Sequence, residues 1–233
     1  MIILTLVRHG ESTGNQANKW QGITDASLTN HGMRQAELVG KSLKNRQFSA
    51  IIASPLQRAY LTAEAIYNEQ EVKPPFTTDE RLMEVHMGAF EDKNWNTHKM
   101  PKVDGVPYRE QRFPGGGESR HDAYLRASAF LADLFAKYPV TSVPSIRILI
   151  VAHGMFLREM SNALHSLNRV SWNDIRWHNT AVTTFQVTKG RLELVEQNNT
   201  SHLKSLQRQR GGIGSSSHDR HQQTLSQYFG KTA

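Results

Sequence analysis

The sequence predicts an α/β domain, a three-layer sandwich in which a mainly parallel central sheet is flanked by helices. Two observations predict this class: short apolar runs that are typical of buried strands, and amphipathic stripes at helical spacing between them. The apolar runs extend from Ile2 to Val7, from Ala50 to Ala53 and from Ile146 to Val151. Strands that alternate with helices along a chain usually pair in parallel, so we expect a single sheet.

The predicted helices follow the predicted strands. One helix is expected after Thr29, and Pro55 favours the first turn of another. In the helix after Pro55, apolar residues recur at helical spacing at Leu56, Ala59, Ala63 and Ile66. Two further stretches show the same spacing: Tyr124, Ala127, Leu131, Leu134 and Tyr138; Leu157, Met160, Leu164 and Leu167. Two late strands, Thr180 to Val187 and Leu192 to Val195, are expected to join at Lys189-Gly190.

The periodic pattern stops near residue 200, which predicts a domain over residues 1–200 and a basic, flexible tail over 201–233. The net charge is +7, and the tail contributes +4 of it with five basic residues and one acidic residue. Its Arg, Gln, Gly, Ser and His residues cannot build a core. The polar segment from Glu91 to Gly117 contains three prolines and is expected to be an irregular insertion or a lid.

Composition argues against several classes of protein. The chain has no cysteine, which excludes disulfides, thiolate metal sites and a cysteine nucleophile. No apolar run is long enough to cross a bilayer, and no signal peptide is apparent, so we expect a cytoplasmic protein that could also be nuclear. The domain itself is only mildly basic, so direct binding of nucleic acid is not expected.

Three of the apolar strands deliver polar side chains into the turns that follow them. Arg8 and His9 follow the first, Ser54 and Arg58 the second, and His153 the third. The carboxyl ends of parallel strands meet at one edge of a sheet, where ligands bind. Guanidinium forks match phosphoryl oxygens, and a neutral imidazole can attack phosphorus. One histidine at a strand end is more commonly structural, so the predicted phosphate pocket depends on all three turns.

These turns belong to a longer set of motifs that resembles the signature of the histidine phosphatase superfamily, which includes phosphoglycerate mutases and fructose-2,6-bisphosphatase-like enzymes. The resemblance covers about residues 1–198 and implies a phosphoglycerate mutase-like fold that needs no metal or cofactor. The matching segments are Arg8-His9-Gly10-Glu11-Ser12 with Asn15, Gln21-Gly22, Asp25, Leu28-Thr29 with Gly32, Ser54-Pro55-Leu56-Gln57-Arg58-Ala59, Leu82-Met83-Glu84 with Gly88, Gly116-Gly117-Glu118-Ser119, Ala152-His153-Gly154 and Asn179-Thr180.

The resemblance also implies a role for each matching position. His9 would attack phosphorus and become a phosphohistidine, while Glu84 would act as general acid and then as general base. An isolated glutamate is ordinarily a solvated surface residue, so Glu84 is chosen only because the motif falls on it. The oxygens of the phosphoryl group would be held by Arg8, Arg58 and His153, with further phosphate contacts from Asn15, Gln21, Gly22 and Gly154.

Departures from the pattern favour hydrolysis over a mutase reaction. Mutases carry a tryptophan before the asparagine and an arginine pair after the acid, whereas here Gly14 precedes Asn15 and no Arg-Arg pair lies between Glu84 and Ser119. We therefore expect a phosphatase for a small phosphorylated metabolite such as a sugar phosphate. The alternatives are a phosphoglycerate mutase-type phosphotransferase, a protein phosphatase and a scaffold. A second anionic group could be bound by Lys93, Lys99, Lys102, Arg109 and Arg112.

One motif in the tail is unrelated to the family. Gln222, Leu225, Tyr228 and Phe229 have the spacing Gln-x-x-aliphatic-x-x-aromatic-aromatic. This looks like the motif by which proteins dock on the replication sliding clamp, PCNA. A helical turn would bring the three apolar side chains together as a plug, and a flexible tail is free to fold on a partner. A chance match, or a turn that packs back on the domain, are the alternatives.

Overall fold

The computed structural model describes residues 1–100, 102–140, 145–166, 176–189 and 191–208. Six strands form one sheet with the order β3-β2-β4-β1-β5-β6. The strands are β1 (Ile2–Arg8), β2 (Ala50–Ala53), β3 (Phe76–Thr78), β4 (Ile146–Ala152), β5 (Val182–Thr188) and β6 (Arg191–Asn199). Leu167, Gly190 and the four residues of the tail motif lie outside the described ranges.

The sheet is mixed and mostly parallel, which confirms the predicted class. Strands β1, β2, β3 and β4 run parallel, whereas β5 is antiparallel to both β1 and β6. The strand β3 was not predicted. It has only three residues, none of them buried, so it lacks the apolar signal on which the other strand predictions depended.

Helices cover both faces of the sheet. They are α1 (Thr13–Gln16), α2 (Asn30–Leu43), α3 (Gln57–Glu69), α4 (Arg120–Lys137) and α5 (Gly154–Ser166). Because side chains alternate along a strand, Val7 and Val151 belong to the core under α2 and α3, while Leu6 and Ile150 belong to the core under α4 and α5. Two apolar layers thus hold the central strands rigidly in place.

The start of α3 differs from the prediction. Thr29 caps α2 as expected, since its hydroxyl accepts the Gly32 N–H at 2.9 Å. Pro55, however, precedes the first turn of α3, which begins at Gln57. No side chain of the preceding turn caps this helix, and the Gln57 N–H donates instead to Asp25 Oδ1 at 2.6 Å. A carboxylate from a distant loop therefore caps α3.

The segment from Glu91 to Gly117 contains no helix or strand in its described part, as predicted. It packs on the loop before Gln21 through an isolated bridge between Lys19 and Asn94. The Trp20 ring also contacts Trp95 and Phe113, with ring centroids 6.4 and 5.8 Å apart. Across the described residues, no helix is long and apolar enough to span a membrane.

Candidate active site

The strand register brings the three predicted turns together. Arg8 lies opposite Ala152, and both Val7 and Ala53 lie opposite Val151. The His9 N–H then donates to Ala152 O at 3.0 Å, just beyond the end of β1. His9 and His153 consequently stand at one edge of the sheet, with their ring centroids 5.1 Å apart.

His9 is held in one tautomer. It is only 2% exposed, and its Nδ1 lies 2.6 Å from the carbonyl oxygen of Gly10. A carbonyl can only accept, so Nδ1 carries the proton and Nε2 of the neutral ring keeps its lone pair. Burial, together with the charges of Arg8 and Arg58, lowers the pKa of His9 well below 6.5. The ring is therefore neutral, and a competent nucleophile, at neutral pH.

Two arginines are fixed by backbone carbonyls. Arg8 Nη1 donates to Trp177 O at 2.6 Å, and Arg58 donates to Thr24 O at 2.6 Å and to Gly22 O at 2.8 Å. Burial lowers the pKa of Arg8 to about 10 and also lowers that of Arg58, yet both stay charged at pH 7. The Nε atoms of both are buried without a partner among the described residues. Oxygens of an anion would satisfy such donors.

His153 is fully buried between these groups. Its Nε2 lies 2.8 Å from Ser54 Oγ, which accepts the Leu56 N–H at 3.3 Å. Burial lowers the pKa of His153 well below 6.5, and the charges of Arg58 and Arg8 lower it further. Its Nδ1 has no partner within the described ranges. His153 is thus a neutral hydrogen-bonding group at neutral pH.

Glu84 is anchored to the first turn of α5. Its carboxylate accepts the N–H groups of Val85 at 2.9 Å, Met155 at 3.1 Å and Phe156 at 2.9 Å. The N–H groups of a first helical turn have no partner inside the helix and attract a carboxylate. The position of Glu84 next to Gly154 therefore follows from helix capping, which sequence alone did not show.

The loop after His9 presents amides to the same cavity. Asn15 Oδ1 accepts from Ser12 N at 3.2 Å and from Asn179 Nδ2 at 3.1 Å, so its own NH2 group remains free to donate. Gln21 Oε1 accepts the Ser12 hydroxyl at 2.6 Å. The carbonyl of Gly22 accepts a hydrogen bond from Arg58. Asn15, Gln21 and Gly22 all line the cavity.

The glycines beside the two histidines have a structural reason. A side chain at Gly10 would lie 2.5 Å from Gly32 O, so the loop packs directly on the start of α2. A Cβ added at Gly154 would lie 3.3 Å from Nε of Arg8, which is the nearest atom. Gly154 therefore makes room for Arg8 in addition to any close approach by an anion.

The cavity has a volume of about 170 Å³, and about half of its lining residues were not singled out from the sequence. They are Lys19, Trp20, Met87, Trp95, Met155, Arg158, Arg176 and Trp177. Arg158 lies one helical turn after Gly154, a spacing that could have indicated it, but nothing in the sequence connects Trp95 to the site. Among the described residues, no three His, Asp or Glu side chains cluster as metal ligands would.

The basic residues proposed for a second anionic group do not line this cavity. Arg109 binds the fully buried Glu159 at 2.8 Å, and Arg112 binds Asp122 at 3.1 Å. They are thus occupied in holding the irregular segment to the domain. The basic side chains that reach the cavity are instead Lys19, Arg158 and Arg176, in addition to Arg8 and Arg58.

A further arginine holds the main chain around Glu84 without lining the cavity. Arg126 donates to the carbonyls of Arg81 at 2.7 Å, Met83 at 2.8 Å and Glu84 at 3.3 Å. It also binds both carboxylate oxygens of Glu118, at 3.1 and 2.8 Å. This one side chain therefore joins the segment that carries Glu84 to the glycine-rich turn before α4.

Comparison with known proteins agrees with this geometry. Residues 4–200 match the family model of the histidine phosphatase superfamily (branch 1). A probable phosphatase of Schizosaccharomyces pombe is 29% identical over 230 residues, 97% of this chain and 79% of that protein. The glucosyl-3-phosphoglycerate phosphatase of Mycobacterium tuberculosis is 32% identical over 178 residues, 72% and 78% of the two chains. The structure of Entamoeba histolytica phosphoserine phosphatase with 3-phosphoglyceric acid aligns with a TM-score of 0.70 at 28% identity, covering 87% of this chain and 100% of that one.

Proposed function

Because the chain belongs to the histidine phosphatase superfamily and is a phosphoric monoester hydrolase, we propose that it works through a phosphohistidine at His9. One observation carries the proposal: Gly10 O fixes the proton on Nδ1, which leaves the lone pair of Nε2 for attack. The ring is neutral at pH 7, so no separate base is needed to activate it.

In the first step Nε2 of His9 attacks phosphorus while the bond to the leaving oxygen breaks. Glu84 gives a proton to that oxygen, so the product leaves as a neutral alcohol. Arg8, Arg58 and His153 donate hydrogen bonds to the phosphoryl oxygens, where negative charge accumulates in the transition state. Since backbone carbonyls already fix both arginines, little reorganisation is required.

In the second step a water molecule attacks the phosphohistidine from the side that the product has vacated. Glu84, now a carboxylate, takes a proton from this water as the bond between Nε2 and phosphorus breaks. Inorganic phosphate leaves, and both His9 and Glu84 return to their starting protonation states. Asn15 and the Gly154 amide add hydrogen bonds to the transferred group.

Rapid-quench labelling tests the intermediate. Brief reaction with ³²P-labelled substrate should leave phosphate on the protein that is labile in acid and stable in base, and peptide mapping should place it on His9. His9→Ala should lose several orders of magnitude in kcat, because the covalent route is gone. Near-normal turnover by folded His9→Ala would overturn the mechanism.

We also propose a small phosphorylated metabolite, such as a sugar phosphate, as the substrate. The small cavity volume and its tryptophan walls support a compact substrate. Relatives named for glucosyl-3-phosphoglycerate and phosphoserine indicate the same size class. Glycerol 3-phosphate and 3-phosphoglycerate form a matched pair for a kinetic panel, because they differ by a carboxylate that Arg158 or Arg176 could bind. Turnover of phosphoproteins alone would contradict the proposal.

A phosphoglycerate mutase-type transfer is the second candidate, since the cavity has basic residues beyond the two that hold the phosphoryl group. Hydrolysis is favoured because Gly14 leaves the loop before Asn15 without the tryptophan of the mutases. The space that a side chain at Gly14 would need is occupied by Gln21, whose Cγ would lie 2.4 Å from a Cβ added at Gly14. The label of the substrate should therefore be recovered as inorganic phosphate and not on added 3-phosphoglycerate.

For the tail we propose docking on a PCNA-like sliding clamp. A fraction of the protein molecules would then be in the nucleus. The spacing of Gln222, Leu225, Tyr228 and Phe229 supports this docking. A peptide of residues 217–233 should bind purified clamp at micromolar concentration and lose binding when Tyr228 and Phe229 are both replaced by alanine. No binding at high micromolar peptide would end this idea and leave the catalytic proposal intact.

A further inference from the structure

The chain continues past the family domain and folds back onto it. The family match ends at residue 200, but residues 201–208 are described, beginning with a 3₁₀ turn at Ser201–Leu203. His202, Leu203 and Leu206 are half-buried, and none of residues 201–208 lines the cavity. The segment instead contacts Thr180 and Glu11, which also do not line the cavity.

The first contact reaches the residue that holds the main chain of His9. The Thr180 N–H donates to Arg8 O at 3.0 Å and to His9 O at 3.3 Å. Thr180 has φ +54°, a left-handed conformation that is strained for a β-branched residue and persists only where neighbours enforce it. Its hydroxyl donates to Asn179 O at 2.8 Å and lies 3.0 Å from His202 Nε2. His202 Nε2–H is therefore the donor to Thr180.

The second contact is with Glu11, two residues after His9 in the loop that follows β1. Arg208 forms an ion pair with the Glu11 carboxylate, which also accepts the Thr29 hydroxyl at 2.9 Å. The main-chain N–H of Glu11 donates to Gln35 at 2.8 Å. Glu11 is thereby held between α2 and the segment after residue 200.

We infer that His202 and Arg208 are positioning residues for the nucleophile, an inference that rests on the proposed role of His9. The two contacts restrain the main chain on both sides of His9, through Thr180 and through Glu11. The direction in which Nε2 points depends on the carbonyl of Gly10, which lies between these restraints. A shift of about 1 Å in a reacting group can cost as much as 100-fold in rate. The segment 201–208 thus completes a site that the family domain leaves without this support.

This role predicts an effect on kcat and not on KM. In the proposed mechanism the substrate phosphate is held by Arg8 and Arg58, whose side chains bond to Trp177, Thr24 and Gly22 and form no hydrogen bond to residues 201–208 in the described structure. His202→Leu and Arg208→Met remove the polar group and keep the apolar stem. Each should lower kcat for an aryl phosphate by about 3- to 10-fold and change KM by less than about twofold, since the loss is confined to the transition state.

Conservative variants in the full chain separate positioning from general stability. His202→Gln keeps an N–H donor for Thr180, and Arg208→Lys keeps the charge for Glu11; both should retain kcat within about twofold of the original protein. Lys204→Ala is the matched control, because this exposed side chain lies in the same segment. Folding of every variant is checked by circular dichroism, and the phosphorylated fraction of His9 by rapid quench.

The outcomes are distinct. Loss of kcat in His202→Leu and Arg208→Met with recovery in His202→Gln and Arg208→Lys supports the inference. Unchanged kcat in the Leu and Met variants, or equal losses in all four, overturns it even if His9 is labelled normally. Failure of the proposed function would instead appear in the original protein, as an absence of label on His9 and turnover by His9→Ala.

Discussion

Arg126→Lys tests whether Glu84, the proposed acid, depends on a residue that does not line the cavity. The substitution keeps the charge and most of the stem but removes the fork that binds the carbonyls of Arg81, Met83 and Glu84. General acid catalysis contributes about 10²- to 10⁴-fold, mostly for poor leaving groups. A displaced Glu84 should therefore lower kcat/KM, which reports the phosphorylation step alone, by roughly 10- to 100-fold for an alkyl phosphate and by only a few fold for p-nitrophenyl phosphate.

Stability should fall in the same variant. Arg126 and Glu118 form a half-buried pair, with side chains 19% and 23% exposed. Removing one partner of a fully buried pair costs about 3–5 kcal/mol, and partial exposure together with the retained charge reduces this to about 1–3 kcal/mol. Urea unfolding measures the change. Arg120→Lys is the matched control on α4, because Arg120 binds buried Glu159 at 2.7 Å and should lower stability without leaving-group selectivity.

A double-mutant cycle decides whether Arg126 acts through Glu84. Glu84→Gln should itself reduce turnover of alkyl phosphates far more than that of aryl phosphates in the phosphorylation step. If the two residues act as a unit, Arg126→Lys adds no further selectivity in the Glu84→Gln background. Equal losses of kcat/KM for alkyl and aryl substrates in Arg126→Lys, or full additivity of the two substitutions, would refute this reasoning.

Two further predictions concern the nucleophile and its surroundings. Thr62→Val removes a buried hydroxyl that accepts the Gly10 N–H at 3.0 Å and donates to Arg58 O at 2.7 Å, so the free energy of unfolding in urea should fall by about 1–3 kcal/mol, whereas Thr62→Ser should be nearly neutral. The pKa values of His9 and His153 are lowered in the folded state, so below pH 6.5 the unfolded chain binds protons that the folded chain does not. The contribution of these two histidines to stability should be present above pH 6.5 and fall by up to roughly 2.5 kcal/mol between pH 7 and 5.5; His153→Gln should remove about half of that contribution, and a flat profile would contradict the assignment.

The parts of the site that the sequence predicted share one property. His9 and His153 directly follow buried strands, and the apolar runs of those strands are enough to locate both histidines at the sheet edge. Parallel pairing of β1 with β4 then places them side by side. Glu84 follows no strand, and only the family motif indicated it. Its anchoring by α5 depends on a packing arrangement that local sequence does not encode.

The missed residues lie where local pattern carries no positional information. Trp95 belongs to an irregular segment, and its place in the cavity wall follows from the pairing of Lys19 with Asn94. Arg126 sits in the middle of a helix, where a charged residue usually faces solvent. The helix α3 begins after Pro55 because its capping carboxylate comes from Asp25, in a distant loop. Each of these depends on contacts between distant segments.

The residues that the sequence predicted belong to the phosphate pocket, whereas several of those it missed line the rest of the cavity. Arg8 and Arg58 are fixed by carbonyls of the domain, and His9 by its own loop, so the phosphate end of the cavity is preorganised by main chain. Other parts of the lining come from irregular segments and α5, through Trp20, Trp95 and Arg158 as well as others. Substitutions in these parts of the lining change what the leaving group meets without moving the carbonyls that orient the arginines. Substrate choice can therefore change in this protein while the phosphoryl-transfer site stays constant, and these lining residues are the ones that a substrate panel should vary.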